Sequence, residues 1–147
     1  MGRGCAPQGA MKLLIANDGS EGAQKALGLA INLAKRFRTK LHMIMVKETS
    51  RFPTTLDQIK AEEEEANHRF EQLIADAVAQ ATKSGVLIEP HVVAGHPVPT
   101  IVEFIESNAF DLLVIGYMGH SAIYKGLIGS TTDRLVALGP CHVLVAK

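Results

Sequence analysis

The feature that most constrains the fold is the regular alternation of short apolar segments with helical patterns. Five segments have strand character: Lys12–Ala16, Lys40–Val46, Leu87–Ala94, Asp111–Gly116 and His142–Ala146. Most of them are continuously apolar, which is typical of strands in a parallel sheet that helices cover on both faces. The alternation therefore predicts an α/β doubly wound fold built on a five-stranded parallel sheet.

Four helical patterns connect these segments. The first runs from about Ser20 to Phe37 and repeats apolar residues at helical spacing. Thr55 followed by Gln58 suits the start of the second helix. The third begins near Pro97, and the fourth covers 130–138 before a Gly-Pro pair ends it.

Length and charge limit the class of protein. A chain of 147 residues predicts one domain, with residues 11–147 forming it and residues 1–10 as a disordered tail or expression remnant. Fifteen basic and fifteen acidic residues balance, which disfavours nucleic acid or an anionic membrane surface as partner. We expect a small ligand or another protein instead.

Compartment and metal content follow from what the sequence lacks. Apolar runs fall far short of the ~20 residues that span a bilayer, and no secretory signal is recognisable. Cys5 and Cys141 show no metal or redox spacing, which favours the cytoplasm. The six histidines lack zinc-like spacing, so the sequence predicts no metal site in the protein itself.

The stretch GYMGHSAIYKGLIGST, residues 116–131, follows the fourth predicted strand. In open α/β sheets ligands bind outside the carboxyl ends of the strands, where the strand order reverses. Glycines permit close backbone approach to an anion, and a helix beginning near Ser130 directs its free amides toward the same place. The expected phosphate-binding residues are Gly116, Gly119, Gly129, Ser130, Thr131 and Thr132.

The same stretch does not match a Walker loop, because no lysine follows Gly129. Lys125 and Arg134 are the nearest cations, and no pair of carboxylates lies close by in the sequence. His120 is the only candidate base in the loop, although a solvated histidine is the simpler interpretation. These observations favour binding over catalysis, with slow hydrolysis at most.

Simpler structural roles compete with these assignments. Gly116 could merely end a strand, and Ser130 with Asp133 could be only a helix N-cap arrangement. Asp18, after the first strand, could accept from an exocyclic amine or a ribose hydroxyl, or could cap the first helix or its turn.

These residues together resemble the ATP-binding branch of the universal stress protein family. That branch carries G-x-x-G-x9-G-[ST] after its fourth strand, which Gly116, Gly119, Gly129 and Ser130 match without a gap. LLIANDGSEGAQKAL and AGHPVPTIVEFIESNAFDLLVIG also look like family segments, and the similarity extends over residues 11–147. The resemblance implies strand order 3-2-1-4-5, which sequence patterning alone does not choose over a flavodoxin-like order.

The resemblance also implies a ligand and an assembly. It predicts ATP, with Mg²⁺ carried by the nucleotide, Val46 meeting adenine through its backbone, and Asn17 and Asp18 lining the base and ribose pocket. The complete set of expected binding residues is Ala16, Asn17, Asp18, Val46, Gly116, Gly119, His120, Gly129, Ser130, Thr131 and Thr132. A homodimer formed through the last strand, Cys141 to Ala146, is expected because an apolar sheet edge favours pairing.

Two functions remain open at this point: a nucleotide-dependent regulatory protein in a stress response, and a slow ATPase or phosphotransferase using the same site. A phosphoacceptor receiver domain fits poorly, because the third strand ends Val93-Ala94-Gly95 without an aspartate. A flavodoxin-type flavin site is disfavoured, because its hydroxyl-rich phosphate loop belongs after the first strand.

Overall fold

Five strands alternate with four helices in a computed structural model that describes residues 11–48, 55–118 and 128–147. The elements are β1 (Leu13–Ala16), α1 (Glu21–Phe37), β2 (Leu41–Lys47), α2 (Leu56–Lys83), β3 (Ile88–Ala94), α3 (Pro97–Asn108), β4 (Leu112–Gly116), α4 (Ser130–Leu138) and β5 (His142–Ala146). Each predicted strand is present to within a residue at either end. Among these helices none has the length and apolar character needed to cross a membrane.

The strands form one parallel sheet in the order β3-β2-β1-β4-β5. The chain winds outward from β1 to β2 and β3, then returns to place β4 on the other side of β1. The order therefore reverses between β1 and β4, which leaves a crevice at their carboxyl ends. Both the predicted fold class and the implied strand order are confirmed.

The core lies on both faces of the sheet, which explains the continuous apolar strands. Leu13 and Ile15 belong to a cluster with the buried faces of α1 and α2, whereas Leu14 belongs to a second cluster with residues of α3 and α4. Neighbouring side chains of a strand point to opposite faces, and here both faces are covered. All three side chains are fully buried.

The helix starts agree with the sequence in two cases and correct it in a third. Ser20 accepts a hydrogen bond from the Ala23 N–H at 3.1 Å, and Thr55 accepts one from the Gln58 N–H at the same distance. The suggested N-cap role of Ser130 is wrong, because Gly129 occupies the N-cap and Ser130 is the first residue of α4. Glycine at that position caps without a side chain, which leaves the serine hydroxyl for other partners.

Candidate functional site

A cavity of about 490 Å³ opens at the carboxyl ends of β1, β2 and β4, where the strand order reverses. Its size is that of a small-molecule site. The lining residues include Ala16, Asn17, Asp18, Ile44, Val46, Glu48, Arg69, Pro97, Ile101, Ile115, Gly116, Gly129, Ser130, Thr131 and Thr132. The structure thus brings together nine of the eleven residues expected to bind nucleotide.

The remaining two, Gly119 and His120, lie outside the described residues, as do the spacer residue Gly126 and the cation Lys125. Their roles stay predictions.

The N-terminus of α4 contributes polar groups to the cavity lining. The Gly129 N–H is already donated to the Tyr117 carbonyl at 2.8 Å, and the first bond within the helix runs from the Asp133 N–H to the Gly129 carbonyl. The amides of Ser130, Thr131 and Thr132 consequently have no acceptor inside the helix. Together with the helix dipole, these donors suit an anionic group.

Thr132 has a structural role that the sequence does not indicate. Its side-chain hydroxyl donates to the Gly116 carbonyl at 2.6 Å, and the residue is only 3% exposed. That bond ties the first turn of α4 to the end of β4. The hydroxyl hydrogen is therefore committed within the protein, whereas Ser130 is exposed and Thr131 is half-buried.

Gly116 is required by packing between β4 and α1. A Cβ placed on Gly116 would lie 2.6 Å from the Gly22 carbonyl oxygen. A Cβ on Gly22 would in turn collide with the Met118 carbonyl oxygen. Because both obstacles are backbone atoms, neither glycine tolerates a side chain without a shift of α1, and Gly22 is a residue that the loop motif does not reveal.

Part of the cavity lining is apolar. It comes from the aliphatic side chains of Ile44, Val46, Ile101 and Ile115 and from the ring of Pro97. Such a surface suits the flat, weakly polar faces of a heterocyclic base.

The backbone of Val46 adds polar groups to this wall. The Ile44 carbonyl accepts from the Asn17 N–H at 3.0 Å and so points toward β1, whereas the Lys47 carbonyl accepts from the Gly95 N–H at 3.0 Å and points toward β3. Backbone groups alternate in direction along a strand, so the N–H and C=O of Val46 face the same side as those of Ile44. The last residue of β1, Ala16, pairs with Ile44, so the N–H and C=O of Val46 face the space beyond the end of β1.

The turn after β1 forms another part of the cavity lining. Asn17 is 3% exposed, its amide donates to the Met43 sulfur at 3.5 Å, and its side-chain oxygen accepts from the Gly19 N–H at 2.9 Å. Asp18 is exposed and accepts from the Ser20 N–H at 2.9 Å. Asn17 therefore acts mainly on the turn, while Asp18 is the ionisable group that this turn presents to the cavity.

Arg69 is a lining residue that the sequence reading missed. It comes from α2, immediately before the buried Phe70, and its guanidinium carbon lies 5.4 Å from the centre of that ring. Arg134, which the sequence suggested, is not among the lining residues. The pattern of α2 marks Phe70 as core, but only the tertiary structure identifies the residue beside it as part of the cavity lining.

Glu48, immediately after β2, also lines the cavity, as does Asp18. The charged lining of the described part of the site is thus one cation and two carboxylates. The two carboxylates are thirty residues apart in the chain, which is why no pair was recognisable near the glycine-rich stretch.

An open parallel sheet with a ligand-sized cavity at its switch point defines the chain as a doubly wound α/β protein. A family model for the universal stress protein family matches residues 10–147. The chain belongs to that family. Universal stress protein MJ0531 of Methanocaldococcus jannaschii is 31% identical over 145 residues, covering 92% of this chain and 81% of the relative.

Solved structures show the same fold. Universal stress protein UspA from Lactobacillus plantarum superimposes with a TM-score of 0.83 at 25% identity, covering 94% of this chain and 99% of the other. A universal stress protein in complex with cAMP gives 0.75 at 24% identity, with 95% and 99% covered. Two further neighbours, at 17% and 21% identity, hold AMP and dAMP.

Proposed function

We propose that this protein binds ATP in the switch-point cavity and acts as a nucleotide-dependent regulatory protein of the stress response. The observation that carries the proposal is the pairing, within one cavity, of a helix N-terminus with an apolar wall that includes the Val46 backbone. Phosphates would meet the amides of Ser130 and Thr131, and adenine would lie against the aliphatic wall. Adenine nucleotides bound to structural neighbours support the ligand class.

A triphosphate is favoured over a single phosphate by the spread of donors. The amides and hydroxyls at the start of α4 and the guanidinium of Arg69 come from two different helices around the same cavity. A chain of phosphates reaches both more readily than one phosphate group does. The glycine and hydroxyl spacing of the ATP-binding branch supports the same choice, with Mg²⁺ carried by the nucleotide.

Regulation follows from where the nucleotide would lie. It would contact β1, β2, α2, α3 and the segment that joins β4 to α4, so occupancy would change the surface formed by several elements at once. A partner that recognises that surface would distinguish the loaded protein from the empty one.

The ligand is tested by denaturing the purified protein, identifying any nucleotide released, and titrating ATP, ADP, AMP and cAMP calorimetrically with Mg²⁺ present. We expect ATP to be released and to bind more tightly than AMP. Absence of any adenine-nucleotide binding would contradict the proposal. Tighter binding of AMP or cAMP would be consistent with the assigned site but would contradict ATP as its ligand.

Ser130→Glu tests the phosphate end. A carboxylate in the first turn of α4 favours the helix through the dipole, but it repels phosphate with about 3 kcal/mol at ~6 Å and an effective dielectric of ~20. We expect ATP affinity to fall by about 100-fold while the melting temperature holds or rises. Ser130→Gln, which has the same shape without charge, is the matched control and should lose far less affinity.

Slow ATP hydrolysis is the second candidate, and one observation favours it. Asp18 and Glu48 both line the cavity, so two carboxylates are available to the metal of a bound nucleotide. Phosphate release under single-turnover conditions separates the candidates. A rate above background that Asp18→Asn and Glu48→Gln each abolish, without loss of ATP binding, would replace the pure binder with an enzyme.

Pairing of two copies through the last strand is also proposed. β5 lies at the edge of the sheet and pairs with β4 on one side only. Three of its five residues, Val143, Leu144 and Val145, are apolar and half-buried. An edge of this kind is stabilised when another strand covers it.

A further inference from the structure

Two histidines and a glutamate converge at the opposite end of the sheet from the cavity. His42 is the second residue of β2 and pairs directly with Glu89 on β3, while His91 lies two residues further along β3. Because side chains two apart on a strand share a face, all three project from the same face of this strand pair. His42 is far from Glu89 and His91 in the chain but is their neighbour across the ladder.

The ligand atoms of the three side chains form a small triangle. His42 Nδ1 lies 2.9 Å from Glu89 Oε2 and 3.1 Å from His91 Nε2, and His91 Nε2 lies 3.6 Å from the same Glu89 oxygen. We propose that His42, Glu89 and His91 form a binding site for a divalent transition-metal ion such as Zn²⁺.

The separations agree with the bond lengths of zinc. A circle through three points so placed has a radius of about 1.9 Å. An ion bonded to each atom at ~2.0–2.1 Å therefore lies about 0.8 Å out of their plane, near the centre of a tetrahedral site that has these atoms at three of its corners. The three separations are thus compatible with one shared ion.

The donor set and its packing point to the same class of ion. Two imidazoles and one carboxylate suit zinc, whereas calcium and magnesium prefer oxygen donors. The ring of His42 packs edge-on against Phe110 at 5.0 Å between centroids, and that of His91 lies 4.9 Å from Phe104. These aromatic contacts hold the imidazoles in place, which reduces the entropy lost on metal binding.

The site is closed on one side and open on the other. His42 is 8% exposed, whereas the side chains of Glu89 and His91 are 47% and 29% exposed. Water can therefore complete the coordination sphere from the solvent side. Lys40, whose ammonium lies 3.4 Å from the same Glu89 oxygen, must give up that contact when the ion binds.

A hydrogen-bonded cluster without metal is the competing explanation, since protons shared among the three groups would also bring them to these distances. The sequence reading predicted no metal site because it judged histidine spacing along the chain, and that prediction competes directly with this proposal. Titration with the metal ion distinguishes the two explanations.

Zn²⁺ is titrated calorimetrically into the chelator-treated full-length chain, and Co²⁺ is added separately to record its visible absorption. We expect one equivalent of Zn²⁺ to bind and the Co²⁺ bands to indicate four- or five-coordination without a thiolate charge-transfer band. At 100-fold excess over the dissociation constant, the melting temperature should rise by about 5–10 °C. No binding at millimolar Zn²⁺ would overturn the site.

Variants locate the ion. Glu89→Gln and His91→Gln change partly exposed side chains, so the fold should survive, and each should weaken Zn²⁺ binding by at least ~10-fold. His68→Gln, on the exposed face of α2, and a Cys5→Ser, Cys141→Ser double variant are the controls and should bind normally. Binding that persists in the first pair, or is lost in the controls, would refute the assignment.

The metal site stands apart from the nucleotide proposal. His42 lies near the start of β2, whereas the cavity lies at the other end of that strand, so ATP affinity should be unchanged in Glu89→Gln and His91→Gln. Zn²⁺ affinity should likewise be unchanged in Ser130→Glu. Failure of either proposal therefore leaves the other testable.

Discussion

Thr132→Val separates a positioning role for this residue from direct phosphate binding. Valine matches threonine in shape, so the change removes only the hydroxyl that donates to the Gly116 carbonyl at 2.6 Å. The residue is 3% exposed and Gly116 is also buried, so water cannot readily replace the lost donor. The carbonyl at the end of β4 then loses this partner.

The magnitude follows from that loss. A buried polar group left unsatisfied costs about 1–3 kcal/mol, and the isosteric change adds no cavity. For a chain of 147 residues, about 2–4 °C per kcal/mol converts this to a fall in melting temperature of about 2–12 °C. ATP affinity should fall too, because the start of α4 is no longer tied to β4.

Urea denaturation measures the free energy of unfolding, and calorimetry measures ATP affinity, for Thr132→Val and for Thr131→Val. Thr131 is the matched control, since it receives the same change one residue earlier at a half-buried position. Its unfolding free energy should stay within about 0.5 kcal/mol of the parent value, while ATP binding weakens through loss of a direct hydroxyl donor.

The reasoning would be refuted if Thr132→Val kept the parent stability but lost ATP binding. Its hydroxyl would then serve the nucleotide, as the sequence originally suggested, and not the Gly116 carbonyl. A loss of stability with unchanged ATP affinity would instead show that the tie between α4 and β4 is irrelevant to the site.

Three further outcomes test other parts of the structure. Gly22→Ala should lower the free energy of unfolding by about 1–3 kcal/mol in urea denaturation, because its Cβ meets a backbone carbonyl; a neutral effect would show that α1 shifts freely. Val145→Pro should convert the proposed dimer to a monomer in light scattering. The pairing of β5 with β4 should survive, because the Ala146 carbonyl is bonded toward β4 whereas the Val145 N–H faces outward. An unchanged mass would show that β5 does not form the interface. Burial, aided by the Asp111 carboxylate, raises the pKa of the Cys141 thiol. In a Cys5→Ser background, alkylation by iodoacetamide should therefore reach half its maximal rate at a higher pH than for an exposed thiol. A midpoint at or below pH ~8.5 would contradict this expectation.

Much of the site was predictable from local sequence. Ala16, Asn17, Gly116 and Ser130 lie beside strand ends and a helix start, and strand ends can be read from apolar runs bounded by glycine and polar residues. Because parallel strands place all their carboxyl ends at one edge, residues just past those ends must lie near each other. Grouping them required no knowledge of how the helices pack.

Other parts of the site depend on packing between distant elements. Arg69 reaches the cavity because α2 contributes to its lining, and the Thr132 hydroxyl meets Gly116 because α4 begins beside β4. A side chain is disfavoured at Gly22 only because α1 packs closely against the end of β4. The hydrophobic periodicity of the sequence does not indicate any of these contacts, because each one joins a single residue of one element to a single residue of another.

The amino-acid sequence by itself determined the number, type and order of the elements along the chain, because hydrophobic periodicity and helix-capping residues act over a few neighbours. Only the tertiary structure decided which side chains meet across the sheet. The clearest case is His42 with Glu89 and His91, whose ligand atoms converge through the register of β2 against β3. Register is set by the packing of whole faces, so contacts of this kind arise from the assembled sheet rather than from spacing in the chain.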